Sequence, residues 1–484
     1  MLPPDFLENI ESQAINIYNN LELDIIKEIA ERIANVGYAN TVVKNDVLIA
    51  QEMGVLYQDI VNLVARTNKS TYQDTLEIFE KAGITSIEID DNIYEKAGLN
   101  PINIKQDKTM MEYLIASAKK TNNNLQNLAM TTANTGQQDF LNVINEAYLQ
   151  TSTGAKSYSQ AIIDAINKIG NKGAIVEYPS GHKVTLETAA RMNIVTGINQ
   201  TCGKLQQMRA EEMNWDLMEL TAHSGARPSH EKWQGKIVSL SGKDGYLSLK
   251  DIGYGEITGF KGINCYHDWR PYYKGSSKTY SNDELEKMND EKVTYNGKQI
   301  TKYEAKQIQR SIERQIRQDK KNIAGLQGVL TSTTNNNKLI EETRTELAKK
   351  TLQYNTHKRE LDGLIEQISS KKDNTRLFIV EKYDNKTISN ITKLANKYNN
   401  SDIIGLKVND VEIKEIGEHI ISRTYGKKVR FEDVEDTLKN PVKYGKIRTD
   451  NSQQIKGENC TVVINVKTGK LITVYPKKTK KEWL

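Results

Sequence analysis

His223-Ser-Gly-Ala-Arg-Pro-Ser-His230-Glu-Lys-Trp233-Gln-Gly235, followed further on by Gly262-Ile-Asn-Cys265-Tyr-His267-Asp-Trp269-Arg-Pro271-Tyr-Tyr, is the stretch on which the reading of this chain turns. Residues 223–275 hold three of the six His, two of the four Trp and nine of the thirty Gly. On both sides the sequence is Lys-, Glu- and Asn-rich and helix-like. Rare side chains interleaved with glycine specify a particular backbone, here a loop-rich, β-containing module set into helical surroundings.

Working upstream, Trp215–Thr221 reads as the strand entering this block, and residues 185–212 as the helix before it, after a turn at Tyr178-Pro-Ser-Gly-His182. Residues 107–170 look mainly helical, with polar interruptions at Asn122–Asn124 and Thr131–Gln138. Further helices are expected over 44–66 and 70–82. Residues 5–37 carry Ile10, Ala14, Ile17, Leu21, Ile25, Ile29 and Ile33 at helical spacing, with Gly37 as a stop.

Downstream, Tyr303 opens a charged helix with Ile308, Ile312 and Ile316 on one face and Arg310, Arg314 and Arg317 beside it. A polar break at Thr331–Asn337 separates it from a helix carrying Leu347, Tyr354, Leu361, Ile365 and Ile368. The pair predicts an antiparallel hairpin whose charges form a solvated face. Then Glu412–Tyr425 and Phe431–Leu438 read as helices. Thr461–Asn465 and Leu471–Tyr475 flank a turn at Lys467-Thr-Gly469, a β-hairpin signal.

The fold class that follows is α+β and multidomain. It comprises a mainly helical region (1–180), a small loop-rich α/β central module (181–280), a helical hairpin (281–375) and C-terminal helices with an antiparallel sheet (376–484). A length of 484 residues demands more than one ordinary core. The net charge of +5 is unevenly spread: residues 438–484 carry eleven Lys and Arg against three Asp and Glu, so this end is the one suited to polyanions. Three distant cysteines, Cys202, Cys265 and Cys460, make no disulfide framework and suit reduced synthesis in a cytoplasm. The N-terminus lacks the pattern of a signal peptide, and no apolar run is long enough to anchor the chain in a membrane.

Two groups of residues carry possible chemistry. His223, His230, Cys265 and His267 offer four ligands of the kind that hold tetrahedral Zn²⁺, although their spacing matches no standard zinc finger. The plainer alternative is that these side chains pack and hydrogen-bond to hold loops. Arg227-Pro228 beside His230 would also suit a phosphate or carboxylate. Ser224 and Ser229 lie near histidines and Asp268 adjoins His267, but no nucleophile elbow, phosphate loop or His-Glu-x-x-His accompanies them. In the C-terminal part, His419 and Arg423 are four residues apart on a helix face, with Lys456 and Thr473 on later segments. A histidine to move protons and cations to stabilise a phosphorane would suffice for metal-independent RNA cleavage. A structural histidine is the alternative.

The His223-x-Gly-Ala-Arg-Pro-x-His230-x-x-Trp-Gln-Gly235 stretch and Asn264-Cys-Tyr-His267 with Pro271 resemble the signature of the tailed-phage minor capsid protein 2 family. That family is similar to the phage Mu F-type head morphogenesis proteins. The likeness extends to Ala189-Ala-Arg191-Met-Asn-Ile-Val-Thr-Gly197, to Gln200-Thr201 and to Tyr303-Glu-Ala-x-Gln-x-Gln-Arg310-x-Ile-Glu-Arg314-x-Ile-Arg317, about residues 1–375 in all. Tyr266 stands where related sequences carry a basic residue. The resemblance implies a virion head component made in the host cytoplasm, joined through portal, capsid or scaffold proteins, with packaged DNA within reach. Glu418-His-Ile-Ile-Ser-Arg423, Asn440-Pro441 and Val462–Val474 resemble barnase–EndoU–colicin–RelE-like nuclease modules. This second resemblance implies His419 as acid–base, Arg423 and Lys456 as phosphate-binding, Thr473 as a positioning hydroxyl, and host RNA as substrate.

Overall fold

The computed structural model describes residues 12–36, 42–243, 245–370, 377 and 385–477. The expected stop at Gly37 lies outside them, as do residues 5–11 of the first helix. That helix, α1 (Ser12–Val36), buries Ile25, Ile29 and Ile33, the stripe read from the sequence. The two helices expected over 44–66 and 70–82 are one, α2 (Val42–Lys96), because no glycine or proline between them breaks the ladder. α3 (Lys108–Ser152) likewise runs unbroken through both predicted interruptions. Thr132 Oγ1 donates back to the Ala129 carbonyl, and Asn122 is buried with Thr71 donating to it, so these polar groups are satisfied without ending the helix. The chain breaks only at 153–157, and Ser157 then caps α4 (Tyr158–Lys172).

A short hairpin, β1 (Ile175–Glu177) with β2 (Lys183–Thr185), closes over the predicted turn, where Tyr178 N–H donates to the His182 carbonyl at 2.9 Å. Next come α5 (Leu186–Glu212) and the central module. Its four-stranded sheet has the order β5-β4-β3-β6, from β3 (Leu217–Leu220), β4 (Ile237–Ser239), β5 (Leu247–Ser248) and β6 (Trp269–Pro271). A single-turn helix, α6 (Pro228–Glu231), lies between β3 and β4. Met218, Leu220, Trp233, Val238, Phe260 and Trp269 form this module's own core, with Tyr254 stacked on Trp269 at 5.2 Å between ring centroids.

After α7 (Asn282–Asn289) and the hairpin β7 (Lys292–Tyr295)–β8 (Lys298–Thr301), a capping box of Thr301 and Glu304 starts α8 (Lys302–Thr331). α8 and α9 (Asn337–Gln367) pack antiparallel, as expected. Their charges do not all form a solvated face. Lys321 and Glu22 are buried and paired at 2.7 Å, and Arg317 meets Glu187 at 2.6 Å. α8 is pressed onto α1: a Cβ at Gly328 would lie 2.6 Å from the Lys27 carbonyl oxygen, so only glycine permits that approach.

The C-terminal part contains α10 (Asn385–Asn399), β9 (Lys407–Val408), β10 (Val411–Glu412), β11 (Glu415–Ile416), α11 (Glu418–Gly426), α12 (Phe431–Lys439), β12 (Lys443–Tyr444), β13 (Ser452–Lys456), β14 (Cys460–Asn465) and β15 (Lys470–Pro476). Its sheet runs β11-β15-β14-β13-β12, antiparallel except that β11 is parallel to β15. The helix predicted over Glu412–Tyr425 starts only at Glu418. Upstream of it, Lys414 N–H donates to the Gly469 carbonyl and the chain joins the sheet instead. One hydrophobic core runs from α1 through α9 into α11, α12 and the face of the sheet carrying Ile455, Val462 and Val474. Among the described residues no helix is long and apolar enough to cross a membrane.

Candidate functional site

The central module gathers its special residues at one end of its sheet. His223 follows β3 in a tight turn where Gly225 takes a φ of 68°. His230 sits in α6, which Pro228 starts from a preset φ. Cys265 and His267 lie just ahead of β6, and that loop is tied to the exit of β3: Asp268 N–H donates to Thr221 Oγ1, and Thr221 N–H to the Asp268 carbonyl. From α5, Asn199 Nδ2 donates to the Cys265 carbonyl at 2.6 Å and Gln206 Nε2 to that of Trp269 at 3.0 Å. The residues that resemble the family motif upstream of the block therefore belong to the helix that holds the Cys–His loop.

His230, Cys265 and His267 are all buried, and one potential ligand atom from each lies within 4.8 Å of the others. The two Nδ1 atoms are 3.4 Å apart, and Cys265 Sγ is 3.8 Å from His267 Nδ1. His223 takes a different place from the one its residue type suggested: its ring stacks on that of His267, centroids 4.5 Å apart, and it stands outside this group of converging ligand atoms. Burial holds His267 well below the usual histidine range, with His223 and His230 adding to the effect. Burial also lowers His230, and pushes His223 down to about 4 with help from Lys306. Cys265, by contrast, is pushed up by burial, with the nearby backbone of His267 and Lys261 acting the other way.

The hydrolase reading of this block finds no support in the geometry. Asp268 is fully buried against Lys261 at 2.7 Å, and Ser229 is exposed.

Beside the three-residue group lies a cavity of about 360 Å³ lined by His223, Arg227, His230, His267, Tyr303, Lys306, Gln307 and Arg310, among others. The last four come from α8. Sequence reasoning treated Arg310 as part of a solvated face and did not single out Lys306. The signal was present, since positions 303, 306, 307 and 310 fall on one helical face. Both segments that carry the family resemblance thus meet across one basic cavity.

In the C-terminal part the structure brings together His419 and Arg423, with Arg423 Nε donating to His419 Nε2 at 3.4 Å. They border a cavity of about 430 Å³ shared with Lys349, Glu342 and Glu346 of α9 and Gln160 of α4. Burial, then Arg423, Lys349 and Lys427, lower His419 below the usual range. Lys456 and Thr473 are not brought to this pair. They lie on the sheet, in register rows Lys456–Thr461–Tyr475 and Gln454–Val463–Thr473, on the face opposite Ile455, Val462 and Val474. Those three pack in the core that α11 shares.

Compared with known proteins, the Phage minor capsid protein 2 family matches residues 2–359, which is most of the chain. The chain belongs to that family. A protein of Lactococcus phage LL-H named "Structural protein" is 30% identical over 218 residues, covering 42% of this chain and 56% of that relative. The chain thus spans little more than half the length of this relative. No solved structure matches. Residues 360–484, including His419, Arg423, Lys456 and Thr473, lie beyond the family match.

Proposed function

We propose that this minor capsid protein is a portal-associated part of the phage head, present in few copies, whose C-terminal module is held against the helical body as part of the same structure. One observation carries the second half of this reading. The family-matched body and the C-terminal module share a single hydrophobic core through α9 and α11, whereas a cargo domain on a linker would have its own. The portal assignment is supported by the family and by the resemblance of its motifs to head morphogenesis proteins. Partners would be portal, capsid or scaffold proteins, and the basic stretch beyond Leu438 is the part suited to packaged DNA. Cross-linking of purified virions followed by peptide mapping tests this. Residues of α1–α4 should cross-link to the portal protein, and cross-links confined to the major shell protein or the tail would overturn the reading.

A second reading, an RNase effector, is favoured by His419, held below the usual histidine range beside Arg423 and Lys349 at a cavity. Glu342, Glu346 and Glu418 border the same cavity and repel phosphate, so the structural role is placed first. The purified full-length chain in EDTA, beside its His419→Ala variant, decides between them. Cleavage of RNA by the first alone supports the effector, and equal failure of both removes it.

A further inference from the structure

His230 Nε2 lies 2.9 Å from the Thr258 carbonyl oxygen, which can only accept, so this nitrogen carries the ring proton and Nδ1 presents a bare lone pair. For His267 the decisive neighbour is Gln234. The backbone N–H of His223 donates to Gln234 Oε1 at 3.2 Å, which fixes the amide orientation, and Gln234 Nε2 then donates to Asn289 Oδ1 at 2.6 Å. That same Oε1 is 3.1 Å from His267 Nε2, which must therefore be the protonated nitrogen. Both Nδ1 lone pairs then face each other at 3.4 Å in a buried site. The Cys265 thiol has one hydrogen and can satisfy only one of the two nitrogens.

A metal ion satisfies all three groups at once. We propose that His230 Nδ1, His267 Nδ1 and Cys265 Sγ bind a late first-row divalent cation, zinc in the cell, with the fourth position left to solvent from the adjoining basic cavity. Zinc bonds of about 2.0–2.1 Å to nitrogen and about 2.3 Å to sulfur at tetrahedral angles separate two nitrogens by about 3.4 Å, and nitrogen from sulfur by about 3.6 Å. The two Nδ1 atoms are 3.4 Å apart, Cys265 Sγ is 3.8 Å from His267 Nδ1, and the three groups offer ligand atoms within 4.8 Å of one another. The surroundings have the character of an outer shell for such a site. Each imidazole donates its other N–H to an oxygen, which fixes its tautomer. Two imidazoles and a thiolate suit zinc or cobalt far better than magnesium or calcium. On binding, the Cys265 proton is released to solvent and no redox change occurs. The ion would link α6, which leaves β3, to the loop that enters β6, and so lock the motif on which the module is built.

The test uses the full-length chain, purified without chelator. The expected results are a stoichiometric amount of zinc after exhaustive dialysis, and an intense thiolate-to-cobalt charge-transfer band with tetrahedral d–d bands after exchange to Co²⁺. Cys265→Ser should lose the charge-transfer band. His223→Ala should keep its metal, because that ring stacks on a ligand without being one. Should Cys265→Ser fail to fold, the wild-type spectrum alone decides. Folded wild-type protein that takes up neither zinc nor cobalt overturns the proposal, as does a cobalt spectrum without a thiolate band. Loss of metal from folded His223→Ala would overturn the solvent-filled fourth position.

Discussion

Gly426, the last residue of α11, lies so close to Thr345 of α9 that a Cβ there would sit 2.9 Å from the Thr345 Cα and nearer still to its hydroxyl. This contact is where the C-terminal module meets the helical body, and Lys427 beside it reaches Glu341 at 3.6 Å. Gly426→Leu should therefore push the two apart. The expected effect is a loss of about 1–3 kcal/mol, the usual range for overpacking, or more if the helices separate. Denaturant melts and limited proteolysis between α9 and α10 read the result. A variant with unchanged stability and unchanged proteolysis would contradict the shared core.

The buried Lys321 is a second point of leverage. Its ammonium pairs with Glu22 at 2.7 Å, and Glu22 also accepts the backbone N–H groups of Ala174 and Glu187. Removing only the cation leaves a buried carboxylate uncompensated, so Lys321→Ala should cost about 3–5 kcal/mol. Glu22→Gln combined with Lys321→Met should recover much of that loss, since neither charge is then left alone. Equal destabilisation by the single and double variants, measured by urea unfolding, would show that packing and not charge sets the cost.

Stability should also fall as pH rises, through Asp90. Burial pushes this carboxyl up to about 8, from an ordinary value of 3.8. The folded state therefore keeps a proton that the unfolded state loses between about pH 4 and 8. The associated stability is fully present below that window and declines through it by up to about 1.4 kcal/mol per pH unit. Asp90→Asn should be relatively more stable at pH 8 than at pH 5, compared with wild type in chemical denaturation at both. A difference between the two proteins that does not change with pH would contradict the assignment.

These tests bear on features with unequal visibility in the sequence. The stripe of α1 and the Ile312–Ile316 face of α8 were legible because each buries a single apolar ridge, and periodicity reports that directly. Thr131–Gln138 misled because threonine hydroxyls can bond back to their own helix, as Thr132 and Thr135 do, and so look like a break while making none. Ile413, Ile416 and Ile420 have helical spacing, yet the first two precede α11. Asn409 and Asp410 adopt positive φ there, and Gly469 opens the close approach that lets this segment join β15. No local signal reports a partner 55 residues away, the separation of Glu415 from Lys470.

The site shows the same division. Residue type alone marked His230, Cys265 and His267, and the structure places them together. That His223 stacks on His267 instead of converging with it depends on the turn after β3 and on α8 across the cavity. Lys306 and Arg310 could have been drawn in from their helical spacing. Their meeting with Arg227 needed the tertiary fold.

The portal assignment is tested most directly by a reconstruction of the phage particle calculated without imposed icosahedral symmetry. At about 1.5 Å per residue, α2 with its 55 residues is a rod of about 80 Å, long enough to trace in density. The account predicts this rod, packed on α1 and α3, in few copies against the portal at one vertex inside the head. Finding it repeated at every vertex or across the shell would contradict the account.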